Sequence, residues 1–204
     1  MSVTIVNYNM GNSGSVVNAL NYLGVTCEIS SVPDKILRSS KIIIPGVGSF
    51  RQAMDNMRRM NLYDAICEAV LVKKIQILGI CLGMQLFTQL GEEGGNTKGF
   101  GFIEGNISKF SEQINLRMPH VGFNSVKILN KDSLLFKGLE TESDFYFVHS
   151  YRLGNSECPF IHATCEYGEL FAAAVERDNI FGVQFHPEKS QSNGLKMLSN
   201  FSKL

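Results

Sequence analysis

Eighteen residues constrain this chain more than any others: Lys73 to Leu90, reading KKIQILGICLGMQLFTQL. Ile75, Ile77, Leu78 and Ile80 make a short apolar run of the length of a buried strand. Gly79-Ile80-Cys81-Leu82-Gly83 follows, and then Met84, Leu86, Phe87 and Leu90 at helical spacing. The pattern predicts a strand that turns sharply into a helix with one cysteine at the corner. A glycine two residues to either side leaves room for a turn too tight for side chains. This is the geometry of a nucleophile elbow, with sulfur in place of the usual serine oxygen. A helix that starts behind the sulfur favours the thiolate, the reactive form.

The same alternation precedes this corner. Thr4–Tyr8 reads as a first strand, Val16–Leu23 as a helix, Val25–Ser30 as a second strand, and Pro33-Asp34 opens a short helix. Lys41–Ile44 is a third strand, closed by Pro45-Gly46-Val47-Gly48, and Phe50–Met60 and Leu62–Val72 read as helices. Strands alternating with helices predict an α/β fold, a doubly wound, mostly parallel sheet. Ligands of such sheets bind beyond the carboxyl ends of the strands. The polar corners at Asn9–Ser13, Pro45–Ser49 and Cys81 all fall there.

After Leu90 the character changes. Gly91–Gly101, rich in glycine and charge, reads as a surface loop. Short strand-like runs follow at Asn106–Phe110, Val121–Leu129, Phe145–Tyr151, Ile161–Tyr167, Leu170–Arg177 and Ile180–Phe185. Their close spacing predicts an antiparallel extension of the sheet in the C-terminal half. Ser190–Leu204 closes as a helix on Leu195, Leu198 and Phe201. No linker or repeat divides the 204 residues, so one domain, 1–204, is expected.

Equal numbers of acidic and basic residues, 19 each, give no electrostatic argument for nucleic acid or an anionic membrane. No stretch reaches the roughly 20 apolar residues of a membrane span, and the start MSVTIVNYNMG lacks the features of a secretory signal. Five scattered cysteines (Cys27, Cys67, Cys81, Cys158, Cys165) form neither a zinc pattern nor a disulfide framework. A reducing, cytoplasmic setting is expected, with no metal and no cofactor.

A cysteine nucleophile needs a base. Of His120, His149, His162 and His186, the last has the best context. It follows the strand Ile180–Phe185, Pro187 blocks further pairing, and Glu188 lies two residues on. A carboxylate there can hold one imidazole nitrogen and leave the other to take the thiol proton. Cys81, His186 and Glu188 thus form a candidate triad. The Leu82 N–H, at the start of the helix, and a glycine-freed peptide of Pro45–Gly48 are candidate oxyanion donors.

Two motifs carry a resemblance. GICLGMQL around Cys81, with QFHPEKSQ around His186 about 105 residues later, resembles the class I, triad-type glutamine amidotransferases. Tyr8–Asn12, Pro45–Phe50, Pro119–Asn124 and Tyr146–Tyr151 extend it almost end to end toward the glutaminase subunits of imidazole glycerol phosphate synthases. The resemblance implies a flavodoxin-like fold and hydrolysis of L-glutamine to glutamate and ammonia. Cys81 would attack the carboxamide and form a thioester. His186 would move the protons and Glu188 would orient it. Val47, Gly48 and Leu82 would form the oxyanion hole through a flipped Val47–Gly48 peptide. Gly48, Gln85, His149, Ser150 and Tyr151 would hold the glutamine. Asn12, His120, Phe123, Asn124 and Lys189 would meet a partner, a (β/α)₈-barrel cyclase that receives the ammonia in a heterodimer with hydrolase and lyase activities. Two positions depart from the family pattern: Phe123 stands where such subunits usually carry Trp, and Ser13-Gly14 replace bulky and basic residues. Both touch the implied interface and leave the triad intact. Relatives that feed ammonia to a synthase-like partner making acetamidino sugars share the same glutaminase chemistry, so the resemblance leaves two pathways open.

Overall fold

The computed structural model describes residues 2–155 and 158–204. Four short strands, β1 (Val3–Val6), β3 (Lys41–Ile44), β4 (Gln76–Ile80) and β13 (Ile180–Val183), are apolar on both faces and almost wholly buried. A strand buried on both faces needs cover on both, and this chain provides it with helices. The edge strand β2 (Cys27–Ser30) completes the parallel half in the order β2-β1-β3-β4-β13. From β13 the sheet continues through antiparallel pairings with β12 (Leu170–Arg177), β11 (Ile161–Glu166), β8 (His120–Ile128) and β9 (Glu142–His149), nine strands in all. The fold is therefore α/β, with a parallel half and an antiparallel extension, as the spacing of the runs predicts.

One face packs on α2 (Pro33–Leu37), α3 (Phe50–Arg59) and α4 (Leu62–Cys67), through Ile36, Phe50, Met54, Met57 and Ile66. The other packs on α1 (Ser13–Tyr22) and α6 (Gln191–Lys203), through Val16, Leu20, Leu198 and Phe201. A smaller sheet, in the order β10-β7-β5-β6, joins Tyr151–Leu153, Asn106–Lys109, Leu90–Gly91 and Thr97–Lys98.

Four local expectations are corrected. The helix after Cys81, α5, spans only Leu82–Gln85, a single turn. Beyond it the bonds tighten to Phe87 N–H on Met84 O and Thr88 N–H on Gln85 O, and the Thr88 hydroxyl also donates to Gln85 O at 2.8 Å. The Leu86 and Thr88 carbonyls, free of helix partners, accept from the Phe100 and Gly101 N–H groups. Leu90 is consequently a strand residue. Gly91–Gly101 is not a plain surface loop, because it holds a tight hairpin whose Gly91 lies against the Phe50 ring where no Cβ would fit. The Phe145–Tyr151 run divides at Ser150 between two sheets. Leu62–Val72 is α-helical to Cys67 and widens into a π-turn over Glu68–Val72.

Candidate active site

Cys81 sits between β4 and α5 at φ +54°, ψ −110°, a backbone conformation that side chains rarely adopt. Such a residue costs on the order of 1–3 kcal/mol and persists only where its surroundings fix it. Here two glycines do so. A Cβ on Gly79 would meet the Gly83 carbonyl carbon and the Met84 nitrogen at 2.6 Å, and one on Gly83 would lie 1.8 Å from the Ile44 oxygen. The turn folds back onto its own strand and onto the end of β3 at distances only glycine permits.

Beside it runs the Pro45–Ser49 loop. The buried Tyr8 hydroxyl donates to the Pro45 carbonyl at 2.7 Å. At the other end, the Phe50 N–H donates to a Glu93 carboxylate oxygen at 3.2 Å and the Arg51 N–H to the Glu93 carbonyl at 3.3 Å. Val47 and Gly48 between them are exposed, and Gly48 has φ +106°. A cavity of about 230 Å³ opens over Cys81, lined by Val47, Gly48, Leu82, Gln85, Glu93 and the Val148–Tyr151 segment with Pro119. Glu93 escapes the sequence reading, and Pro119 and Val148 enter it only as members of the Pro119–Asn124 and Tyr146–Tyr151 runs, with no role at the cavity. The carboxyl of Glu93 is pushed up from its ordinary range by burial, against the hydrogen bond from Phe50.

His186 follows β13 and is pinned by its own backbone. Its N–H donates to Tyr146 O at 2.8 Å, and its carbonyl accepts from the Ser190 hydroxyl at 2.6 Å. Its Nδ1–H donates to Glu188 Oε1 at 2.8 Å, the carboxylate arriving on the 3₁₀ turn Pro187–Lys189. That bond leaves Nε2 as the free nitrogen, buried and without a partner of ordinary hydrogen-bond geometry among the described residues. Burial works against the imidazolium, but the negative charge and hydrogen bonding of Cys81, and then of Glu188, outweigh it and push the His186 pKa up to about 10. A raised histidine stabilises the fold in full below its unfolded value near 6.5, and loses that contribution as pH climbs through about 10. In an NMR titration of the imidazole, Glu188→Gln and Cys81→Ala are each expected to lower the His186 midpoint. A midpoint unmoved in both would mean that neither group bears on the ring.

The cavity wall is a polar network organised by one acceptor, the Tyr151 carbonyl. A carbonyl oxygen only accepts, so His149 donates to it from Nδ1, at 2.8 Å. His149 Nε2 is then an acceptor, and His120 Nδ1 donates to it at 3.1 Å. His120 Nε2 in turn accepts from Asn124 Nδ2 at 3.3 Å. Both rings are held neutral. Burial lowers His120 to about 4 and His149 to about 3, the latter against the Tyr151 bond and with the adjacent His120 and His186 adding to the effect. His120 is stacked 4.0 Å from the Tyr167 ring and turned inward, so within the expected interface set only its neighbours reach outward.

Phe123 is half exposed and meets Tyr146 edge to face, and the exposed Lys189 places its ammonium 5.6 Å over the same Tyr146 ring. Asn12 is exposed, with its side-chain amide bound to the Ser15 N–H and hydroxyl at the start of α1. Gln85 is buried. Its amide nitrogen donates to Tyr151 O at 3.0 Å and to Gln184 Oε1 at 2.9 Å. Gln184, which the sequence reading also passes over, reaches the Cys81 sulfur. Period-two alternation, which sets Gln184 on the side of His186, is the signal that could have found it.

A cysteine on a strained strand-to-turn corner, with an imidazole and a carboxylate nearby at the carboxyl ends of a parallel sheet, has the parts that triad-type, thiol-dependent acyl transfer requires. The glutamine amidotransferase class-I family model matches residues 4–204. Over 202 residues, 99% of this chain and 100% of the relative, the sequence is 46% identical to imidazole glycerol phosphate synthase subunit HisH 1 of Campylobacter jejuni strain 81-176. It is 42% identical to subunit HisH of Pelagibacter ubique over the full length of both chains. Among solved structures, PurLQS from Thermotoga maritima superposes with a TM-score of 0.73 at 16% identity, over 98% of this chain and 96% of that one, a likeness of fold. The chain belongs to the class-I glutamine amidotransferases and, within them, to the HisH subunits of imidazole glycerol phosphate synthase.

Proposed function

We propose that this chain is the glutaminase subunit of an imidazole glycerol phosphate synthase and supplies ammonia for histidine biosynthesis. The observation that carries the reading is that His186, held by Glu188 at 2.8 Å, feels the charge of a Cys81 that opens onto a small cavity, in a chain alike end to end to proteins named HisH. The Cys81 sulfur attacks the side-chain carboxamide carbon of glutamine. The His186 imidazolium gives its proton to the departing nitrogen, so ammonia leaves and a thioester remains. The ring, now neutral, takes a proton from water, whose oxygen attacks the thioester and releases glutamate and the thiolate. Glu188 holds the ring throughout. The developing oxyanion is met by the Leu82 N–H, one of the orphaned donors of a helix start, and by the Val47–Gly48 peptide. The half-buried Glu93 carboxylate and the Gln85 amide oxygen suit the α-ammonium of the substrate, while Gly48, His149, Ser150 and Tyr151 shape its seat.

The partner is a (β/α)₈-barrel cyclase, met by the face carrying Asn12, Phe123, Asn124 and Lys189. Ammonia passed directly between subunits escapes protonation in solvent. The five free thiols suit a reducing cytoplasm. Among the described residues no helix is long and apolar enough to cross a membrane.

The test measures glutamate release by the chain alone, with the cyclase, and with the cyclase and its acceptor. Low release that rises in the loaded complex is expected. Full release without a partner, or activation only by a sugar-modifying synthase, would overturn the assignment to this pathway. In the same complex, Phe123→Ala is expected to weaken subunit binding by about 1–2 kcal/mol, roughly 5–30-fold in Kd, because a half-exposed aromatic is the kind of anchor interfaces use. Unchanged affinity by calorimetry would move the interface elsewhere.

A further inference from the structure

The single turn of α5 leaves the nucleophile short of support. Four residues align few peptide dipoles behind the sulfur, so the field of a helix start is slight here. Another donor takes its place. Gln184 is fully buried, one residue beyond β13, and its Nε2 lies 3.5 Å from Cys81 Sγ. Besides the His186 ring, the sulfur has the Val148 carbonyl at 3.9 Å, which repels rather than binds an anionic sulfur.

Which end of the Gln184 amide faces the sulfur follows from its neighbours. The Tyr151 carbonyl can only accept, so Gln85 must turn its NH₂ toward it. That same NH₂ lies 2.9 Å from Gln184, which must therefore present its oxygen there. The Gln184 NH₂ is left pointing at sulfur. Reversing Gln85 sets oxygen against oxygen at two contacts, and reversing Gln184 sets its NH₂ against that of Gln85. The bond at 3.5 Å is thus a donor held in place from two residues away, in a buried setting where a charge-assisted hydrogen bond is strong.

We propose that Gln184 is a further residue of the glutaminase centre, whose amide N–H, oriented by the Tyr151 carbonyl through Gln85, holds the Cys81 sulfur in its thiolate form and aims it into the cavity. The role rests on the reading of Cys81 as nucleophile. No proton or bond is transferred to Gln184; it stabilises charge and fixes direction.

The experiment is alkylation of the isolated chain by iodoacetamide across pH, which needs neither glutamine nor cyclase. In Gln184→Glu the shape stays and the donor becomes an anion; in Gln184→Met the length stays and the donor is lost. Both profiles are expected to move to higher pH than that of the parent chain, Gln184→Glu the further. Glutamine turnover in the complex is expected to fall roughly 10- to 100-fold in kcat, the range of one hydrogen bond to a charged group, with a smaller change in KM. Gln85→Met is expected to move the alkylation profile the same way by less. Should either Gln184 variant fail to fold, the parent chain decides: the side-chain ¹⁵N–¹H signal of Gln184 is expected to shift on alkylation of Cys81. Folded variants with the parent alkylation profile, or a Gln184 signal indifferent to alkylation, would overturn the proposal. If instead the parent chain with its cyclase hydrolyses no glutamine, the glutaminase reading fails, whatever the variants show.

Discussion

Cys81→Ala is expected to abolish glutamine hydrolysis while the complex still makes product from added ammonium salt. The deletion removes one sulfur at a turn and leaves the polar scaffold around it in place, since Gln184 keeps Gln85 and His186 keeps Glu188. Removing a nucleophile from a triad that acts as a unit lowers kcat by roughly 10⁴- to 10⁶-fold. The loss belongs to chemistry alone: the melting temperature and the affinity for the cyclase are expected to stay near those of the parent chain. Normal glutamate release from Cys81→Ala would mean that another group attacks the substrate, and the thioester route would fall with it. Loss of the ammonium-dependent activity as well would show that the residue supports the partner rather than the amide cleavage.

The second large effect is structural. Gly83→Ala sets a methyl group 1.8 Å from the Ile44 carbonyl oxygen and 2.8 Å from its carbon, both backbone atoms of a central buried strand. Neither β3 nor α5 can yield without disturbing the other, because both pack against the sheet on which the elbow is built. Overpacking of this kind costs about 3 kcal/mol or more, which in a chain of this length lowers Tm by roughly 6–12 °C. Gly24→Ala is the control. Unlike Gly83 it is at positive φ, +71°, and its added Cβ would meet nothing within 4 Å. Only the conformational penalty of about 1 kcal/mol remains there. Thermal denaturation of the two variants separates steric from conformational cost; equal Tm losses would contradict the close approach at the elbow.

The strand–helix order of the parallel half was legible because its central strands are short apolar runs between helical patterns; Lys41–Ile44 there, and Leu170–Arg177 in the antiparallel extension, run just as the pattern predicts. The candidate triad could be picked out for a related reason. A tight corner demands glycines at fixed offsets from Cys81, and a carboxylate two residues past His186 is near it in any turned chain. The length of α5 was hidden. Leu86, Phe87 and Leu90 keep helical spacing, but the Phe100 and Gly101 N–H groups claim carbonyls there from fourteen and thirteen residues away. Local periodicity carries no information about that competition. Glu93 was hidden in the same way, since it acts through a hydrogen bond across the fold to Phe50; for Gln184, alternation with His186 gives the face, but the meeting with Gln85 and Cys81 is a long-range one.

The Pro45–Phe50 segment is tethered at both extremities, by the Tyr8 hydroxyl at Pro45 and by Glu93 at Phe50, with Val47 and Gly48 exposed between them. A span clamped at its two feet has little freedom to swing aside as a flap. What it retains is crankshaft rotation of an inner amide plane about the line joining those feet, exchanging the directions of one N–H and one C=O while the surrounding atoms stay put. With glycine at the pivot, such a turn needs no side chain to clear the cavity, and its sense decides whether the plane offers a developing anion a hydrogen or an oxygen.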